Sequence, residues 1–384
     1  MSVKVAIAGA GVGGLSLAIA LRRIGVEARV FEQSPVIGDV GAGIGLWPGA
    51  LHSLERIGIA EWFWDLPVCP FERAETCAPD GRLLVGFDVT GVTGGWGYVV
   101  RRTDLHRALM ESLEPDQVTL GREVVGVRQT SQQAFLQFAD GAEEAADVVV
   151  GADGLHSTVR SELFGDTPPR YSGETCYRGM AELAVPDSGV LREVQGNGAR
   201  AAVHPLDPEH VYWWATRRAP AGEVESPEQR KANVERTHSG WKFGLPEALQ
   251  RTPADTILKN DLYDRPPLRR WSVGRIALLG DAAHPTTPNL GLGGCMAIED
   301  AVVLARSMAD HPGDHAAALA EFHRGRARRT ARVVRMSAMF GRLGSLRNPS
   351  AIRLREASLR FAPTALSKRS FSGVVGFDPG PLHT

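Results

Sequence analysis

Hydrophobic and polar positions follow two rhythms along the chain. Residues 3–34, VKVAIAGAGVGGLSLAIALRRIGVEARVFEQS, open with a β-branched run and pass through glycines into an Ala/Leu-rich helical pattern. A second strand pattern, VEARVFE, follows and ends at Glu32. This order predicts a complete βαβ unit. Much later, the apolar run RIALL (275–279) leads into GDAAHPTTPNLGLGG (280–294) and then CMAIEDAVVLARSM. In that last segment Ile298, Ala301, Val302, Ala305 and Met308 recur at helical spacing.

Between these units, GYVV, ARAAVHPL and HVYWWATRR read as strands of alternating or fully buried type. Pro and Gly clusters at 167–173 and 218–222 punctuate them. The HPLDPEH turn predicts a hairpin that sets Arg200 and Tyr212 on neighbouring strands. Residues 345–384 contain Ile352, Leu354, Leu359 and Phe361 in a partly apolar helical pattern broken at Pro363.

At 384 residues and 43% hydrophobic content the chain exceeds one average domain, which suggests two domains sharing one cofactor. Formal net charge is −1, from 43 basic and 44 acidic side chains, so nothing holds a polyanion by bulk electrostatics and nucleic acid is not an expected partner. Cys69, Cys77, Cys176 and Cys295 form no CxxC pair, so no metal is expected and reduced thiols suit the cytoplasm. The apolar stretch 5–21 is interrupted by glycines at phosphate-turn spacing rather than framed as a signal peptide. No other segment approaches the ~20 apolar residues of a membrane span, so a soluble protein without integral membrane association is expected.

The chemistry begins at Gly9-x-Gly11-x-x-Gly14. In such a loop the first glycine allows a tight turn, the second lets a pyrophosphate reach the backbone, and the third lets helix and strand pack closely. Glu32 then stands where an acid accepts from ribose hydroxyls and repels a 2′-phosphate. The site suits the ADP half of FAD or of NAD, and these residues alone leave both open. The late glycine loop allows either a second nucleotide or the far end of one large nucleotide. An aspartate at its strand end, Asp281, can accept from sugar or ribitol hydroxyls, and the following helix presents free N–H groups.

Three motifs, the N-terminal GxGxxG, GADGLHSTVR (151–160) and the late GD loop, resemble those of the group A flavoprotein monooxygenases, single-component FAD aromatic hydroxylases. The resemblance covers nearly the whole chain. It implies an α/β fold with a Rossmann-like FAD-binding domain of the para-hydroxybenzoate hydroxylase type, from residues 1–69, 99–165 and 271–344. A mixed β-sheet substrate domain, 70–98 and 166–270, and a C-terminal helical tail, 345–384, complete it. One FAD would stretch between the two loops, with its adenine end at Gly9–Glu32 and its flavin end at Asp281–Gly294. Cofactor-binding positions map by resemblance to Gly9, Gly11, Gly13, Gly14, Glu32, Gln33, Gly45, Arg102, Val124, Asp153, Asp281, Pro288, Gly291, Leu292, Gly293 and Gly294. Arg102 lies in VVRRTDLHRAL, and Val124 matches a position whose backbone borders the adenine. Asp153 and Gly154 fall in the motif that serves both FAD and the transient nicotinamide nucleotide. Many members carry Gln where Leu292 stands, which puts side-chain contacts there in doubt rather than flavin binding.

By the same resemblance, to urate hydroxylases and related bacterial hydroxylases, Arg200 and Tyr212 are the candidate catalytic residues. Arg200 would pair with a polar or anionic substrate group, and Tyr212 would hydrogen-bond or stack against a ring. His204, Trp213 and Trp214 suit core or pocket wall equally. Tyr177 and Arg178, in TCYRGMA, read as architectural, and His156 and His284 as structural histidines bonded to nearby backbone. The family's reaction is reduction of the flavin by NADH or NADPH, then O2 activation as a flavin C4a-hydroperoxide. One oxygen atom passes to an aromatic or polycyclic small molecule by hydroxylation or epoxidation. A monomer or homodimer is expected.

Two alternatives come from other classes. WFWDLP (62–67) resembles a flavin-dependent halogenase signature, but no lysine lies between Lys4 and Lys231 to carry hypohalous acid. A non-enzymatic FAD- or NAD-binding sensor would keep Gly9–Gly14 but has no need of Asp153 and the Asp281 loop together.

Overall fold

The computed structural model describes residues 3–36, 38, 43–66, 68–184 and 189–382; Pro67 of the WFWDLP motif lies outside them. The first βαβ unit consists of the strand Lys4–Ala8, the helix Val12–Arg23 and the strand Glu27–Glu32. Together they nucleate a six-stranded sheet. Across it the order is Ser272–Val273, Ile276–Leu278, Val148–Gly151, Lys4–Ala8, Glu27–Glu32 and Val118–Leu120. All neighbours pair in parallel except Ser272–Val273, which runs antiparallel to Ile276–Leu278. Strands such as Val148–Gly151 are buried throughout, as a parallel sheet covered on both faces requires. Residues Val12 to Leu21 are all buried, because this helix is wedged against the long helix Gly293–Asp310 as well as the sheet.

A seven-stranded sheet forms the second layer. Its order is Leu258–Asp264, Arg170–Glu182, His210–Arg218, Ala199–Pro205, Val190–Gln195, Arg73–Cys77 and Leu83–Asp88. Side chains alternate across a strand, so the sheet has two faces of different character. On one, Tyr177, Val211, Trp213 and Ala215 pack with Val234, Ala248 and Leu249 of the helices Pro227–Thr237 and Leu245–Arg251. Trp213 is fully buried there and its Nε1 donates to Thr252 Oγ1 at 2.9 Å. The opposite face carries Glu174, Cys176, Arg178, Arg200, His204, Tyr212 and Trp214. Pairing of His204 with Tyr212 and of Arg200 with Thr216 fixes their register. Arg200 and Tyr212 thus share a face without being cross-strand neighbours.

The stretch GYVV departs from the expectation that it belongs to this large sheet. Tyr98–Arg101 pairs antiparallel with Gly43–Leu46 in a separate two-stranded ribbon. The partner, GIGL, is half glycine and carries no alternation to announce a strand. Leu46, Val99 and Val100 are buried in the main core.

The tail folds as two helices separated by Pro363. Asn348 accepts from the N–H groups of Ser350 and Ala351 to cap Pro349–Phe361, and Thr364–Val375 follows. Val374 and Val375 enter the main core, and the Phe371 ring meets Trp47 edge-on at 5.2 Å and Phe87 at 5.6 Å. Among the described residues no helix is long and apolar enough to cross a membrane.

Candidate cofactor and substrate site

The first glycine loop lies between the strand Lys4–Ala8 and the helix Val12–Arg23, and its glycines have distinct reasons. Gly9 has φ +102°, and a Cβ there would lie 2.5 Å from the Ala152 carbonyl oxygen. At Gly14 a Cβ would lie 2.0 Å from the Gly9 oxygen. Both positions are dictated by packing within the protein. Gly11 is different, because a Cβ there meets no atom of the described residues within 4 Å. Gly11 is also the residue before the helix, which has no side-chain cap on its first N–H groups. A bare backbone with uncapped N–H groups at a positive dipole end fits a pyrophosphate.

Glu32 reaches the same loop from its strand. Its Oε2 accepts from Ala10 N–H at 2.9 Å and Oε1 from Ser34 N–H at 3.0 Å, which fixes the carboxylate at the rim beside the exposed Gln33. His106, which the sequence reading did not single out, places Nε2 2.7 Å from the Ala10 carbonyl. Val124 begins the strand Val124–Gln129 and packs against the main core.

The second loop is built on the same foundation. A Cβ on Gly13 would lie 2.8 Å from a Leu279 methyl and 3.0 Å from the Ala297 Cβ. The elements that carry the two glycine loops therefore pack directly on one another, which favours one shared ligand over two separate nucleotides. Asp281 is exposed to solvent yet densely surrounded, as a carboxylate on a cleft wall is. Burial raises its pKa, while His284 and Arg102 act against that rise. Arg102, at the first residue of the helix Arg102–Glu111, is thus brought to Asp281, from nearly two hundred positions away in the chain.

Beneath the loop lies an ionic network that the sequence did not reveal. His284 Nε2 donates to Asp300 Oδ2 at 2.6 Å, and Asp300 Oδ1 accepts from Arg326 Nε at 2.6 Å. Burial alone would raise the Asp300 carboxyl, but His284 and Arg326 hold it below the ordinary range. Arg326 also pairs with Glu299 at 2.7 Å, and Arg329 meets Glu299 at 2.8 Å. His284 therefore bonds to a side chain rather than only to nearby backbone. From the other side, Arg160 Nη1 donates to the carbonyls of Ala282 and Ala283 at 3.0 and 3.2 Å.

Pro288, Gly291, Leu292, Gly293 and Gly294 run into the helix Gly293–Asp310, whose start has neither a side-chain cap nor an acidic residue in its first turn. Leu292 is 1% exposed, so only its backbone is offered to a ligand. Gly291 approaches Gly45 closely, and Trp47 Nε1 lies beside both, buried and without a hydrogen-bond partner among the described residues. An orphaned donor next to two glycines fits the polar edge of a bound heterocycle.

Asp153 has an evident structural task. It accepts from the Ser157 hydroxyl and from Val159 N–H at 3.1 Å, and Ser157 in turn accepts from Arg160 N–H at 2.9 Å to cap the helix Thr158–Phe164. Burial raises the Asp153 pKa. His156 is exposed.

The face of the seven-stranded sheet opposite the helices Pro227–Thr237 and Leu245–Arg251 packs against the Gly43–Leu46 strand and the late glycine loop. Tyr212 lies against the ribbon, where a Cβ on Gly43 would come within 2.5 Å of its ring, and its ring stacks 6.3 Å from that of His204. Trp214 Nε1 donates to His204 Nε2 at 3.1 Å, and burial pushes the His204 pKa down to about 4. His204 is therefore neutral near pH 7. His204 and Trp214 lie on the face turned to the main core, whereas Trp213 is packed behind the sheet in the second core. Tyr177, on the helix-covered face, donates from its hydroxyl to Glu225 at 2.9 Å and accepts from Arg217 Nε at 2.9 Å.

Arg200 is placed otherwise than a free substrate-binding cation. It is 2% exposed, its Nη2 lies 3.3 Å from Glu174 Oε1, and its Nη1 lies 3.7 Å from Glu193. Nη2 also donates to Asn289 Oδ1, and Asn289 Nδ2 donates to Thr287 Oγ1 at 2.9 Å. Arg200 thereby clamps the late glycine loop to the large sheet.

Comparison with known proteins agrees with this geometry. Residues 2–337 match a family model described as an FAD binding domain. The chain is 37% identical to an aurachin C monooxygenase/isomerase of Stigmatella aurantiaca, over 93% of this chain and 94% of that one. It is 34% identical to a 3-amino-4-hydroxybenzoate 2-monooxygenase of Streptomyces platensis, over 99% and 97%. Klebsiella pneumoniae HpxO, complexed with FAD and uric acid, superposes with a TM-score of 0.89 at 27% identity, covering 99% of this chain and 98% of that one.

Proposed function

The chain belongs to the FAD-binding-domain family of flavoprotein monooxygenases, and from that premise we propose that it uses NADH or NADPH and O2 to oxygenate an aromatic or polycyclic small molecule. The observation that carries this reading is the direct packing, at Gly13, Leu279 and Ala297, of the elements that bear the two glycine loops. It makes one extended cradle with uncapped helix starts at both ends. FAD, when bound, supplies the electron transfer and the activation of oxygen.

The residues around it bind and position. Gly9, Gly11, Gly13 and Gly14 shape the pyrophosphate turn, Glu32 and Gln33 hold the ribose rim, and Val124 borders the adenine. Asp281, with Arg102 opposite, accepts from the ribityl chain. The helix start at Gly293 and Gly294, with Gly45, Pro288, Gly291 and the backbone of Leu292, surrounds the ring end, where its N–H groups favour negative charge. Asp153 acts on the rim by holding its turn.

The substrate sits against Tyr212, His204 and Trp214. A neutral His204 and the surrounding aromatic rings keep this wall dry, which suppresses unproductive loss of the activated oxygen. Arg200 serves here as a positioning residue that keeps Asn289 in place. An aromatic or heteroaromatic substrate is supported by the relatives described above, the aurachin C monooxygenase/isomerase, the 3-amino-4-hydroxybenzoate 2-monooxygenase and HpxO with its uric acid.

The test is the visible spectrum of the purified protein, followed by NADH and NADPH oxidation with phenols, N-heterocycles, purines and polycyclic antibiotics. A flavin spectrum, ligand-stimulated oxidation and one labelled atom from O2 in the product support the reading. A colourless protein that FAD does not reconstitute overturns it.

A further inference from the structure

The charged groups on the Arg200 face of the large sheet are unevenly matched. Arg200 faces two carboxylates, Glu174 and Glu193, so its charge is already balanced inside the protein. Arg178, two strands away in the Arg170–Glu182 strand, has no carboxylate partner among the described residues. Its Nη1 donates to the Asn260 amide oxygen at 3.0 Å, and its other neighbours are the Tyr212 hydroxyl and the Cys176 thiol. It is half-buried by surface exposure but densely surrounded by protein, the same combination found at Asp281 on the cleft wall.

A half-buried guanidinium whose protein partners are all uncharged keeps its charge and part of its donor fork available to an anion. Asn260 and Tyr212 use only part of its five donors. Tyr212 stands beside it with a hydroxyl that can also donate. A planar fork and a phenol that converge on one point form a receptor for a carboxylate or for a ring oxygen carrying negative charge.

We propose that Arg178, with Tyr212, anchors an anionic oxygen of the substrate, and that Arg178 rather than Arg200 sets the preference for a negatively charged aromatic. This rests on the monooxygenase reading above. Arg178 binds and orients the ring; it transfers no proton and forms no bond. The cross-strand pair Arg178 and Trp214 places this anchor next to the indole that backs the ring, so charge is gripped at the edge while the face is stacked.

The test uses the FAD-loaded full chain and two probes of nearly equal shape, 3-amino-4-hydroxybenzoate and its uncharged amide. Binding is read from the perturbation of the flavin absorption bands. The wild type is expected to prefer the acid by about tenfold or more, the worth of a charge-assisted bidentate contact. Arg178→Met should abolish that preference while FAD remains bound, and Arg178→Lys should restore part of it. Tyr212→Phe should weaken the acid more than the amide, and provides a second variant should Arg178→Met fail to fold. A merely structural arginine would lower both affinities together and leave their ratio unchanged. An unchanged ratio in Arg178→Met, or a flavin-loaded wild type that binds the amide as well as the acid or binds neither, overturns the proposal and leaves the monooxygenase reading standing. Failure to hold FAD sinks that reading instead.

Discussion

Asp300 accepts from His284 Nε2 at 2.6 Å through one carboxylate oxygen and from Arg326 Nε at 2.6 Å through the other, with all three side chains buried. Asp300 Oδ2 also accepts from Gly280 N–H at 3.1 Å, so a single carboxylate fixes both ends of the turn that presents Asp281. Removing it leaves Arg326 and Arg329 to share the single carboxylate of Glu299 and takes the acceptor from His284 Nε2. Asp300→Ala should destabilise the protein by about 3–5 kcal/mol, the cost of breaking a buried ion pair from one side. Chemical denaturation checks this, and a change under about 1 kcal/mol would count against the network.

Asp281 tests the cofactor rather than the fold. Its carboxylate is on the cleft wall and its loss strands no buried partner, so Asp281→Ala should keep near wild-type stability without FAD. Its affinity for FAD should fall about tenfold or more, the worth of a hydrogen bond to a charged group. Full flavin occupancy after dialysis of the variant would remove Asp281 from the site.

The glycines of the first loop should separate two kinds of damage. Gly11→Ala introduces a methyl that touches no atom of the described residues, so the apoprotein should melt as the wild type does while binding FAD poorly. Gly14→Ala drives a methyl into the Gly9 carbonyl and should cost at least about 1–3 kcal/mol of stability. Differential scanning of both apoproteins with a parallel FAD titration distinguishes them, and equal melting of the two variants contradicts the assignment.

His204 should leave a signature in acid. Its pKa falls from 6.5 to about 4 in the folded state, so between those values the unfolded chain binds a proton that the native state refuses. Stability is intact above pH 6.5 and declines as pH drops towards 4, by about 3 kcal/mol in all. His204→Gln should flatten this part of the curve. An acid slope identical to the wild type would show that another group is responsible.

The sequence carried some of this clearly and hid the rest for physical reasons. The βαβ unit was legible because Gly9, Gly11 and Gly14 stand at the one spacing that serves a turn, a ligand and a close packing at once. The strands holding Arg200 and Tyr212 were legible from alternation and the HPLDPEH turn. The Glu174–Arg200 pair was not, because it crosses the intervening strand His210–Arg218 and depends on sheet order. Nor could Trp213 and Trp214 be assigned to opposite faces before one face was known to carry helices. The Gly43–Leu46 strand stayed hidden because glycine packing against a neighbour leaves no hydrophobic rhythm.

The strand order of the parallel sheet bears on how the protein survives in a cell. Residues Lys4–Ala8, Val148–Gly151 and Ile276–Leu278 lie side by side, so both halves of the cradle depend on pairings between distant parts of the chain. Such contacts close slowly and late in folding. A cofactor that binds only the completed cradle then acts as a ballast on the folding equilibrium, worth about 2.7 kcal/mol when free FAD stands at a hundred times its Kd. Where FAD is scarce that increment is lost, and the chain spends a larger share of its time open to proteases.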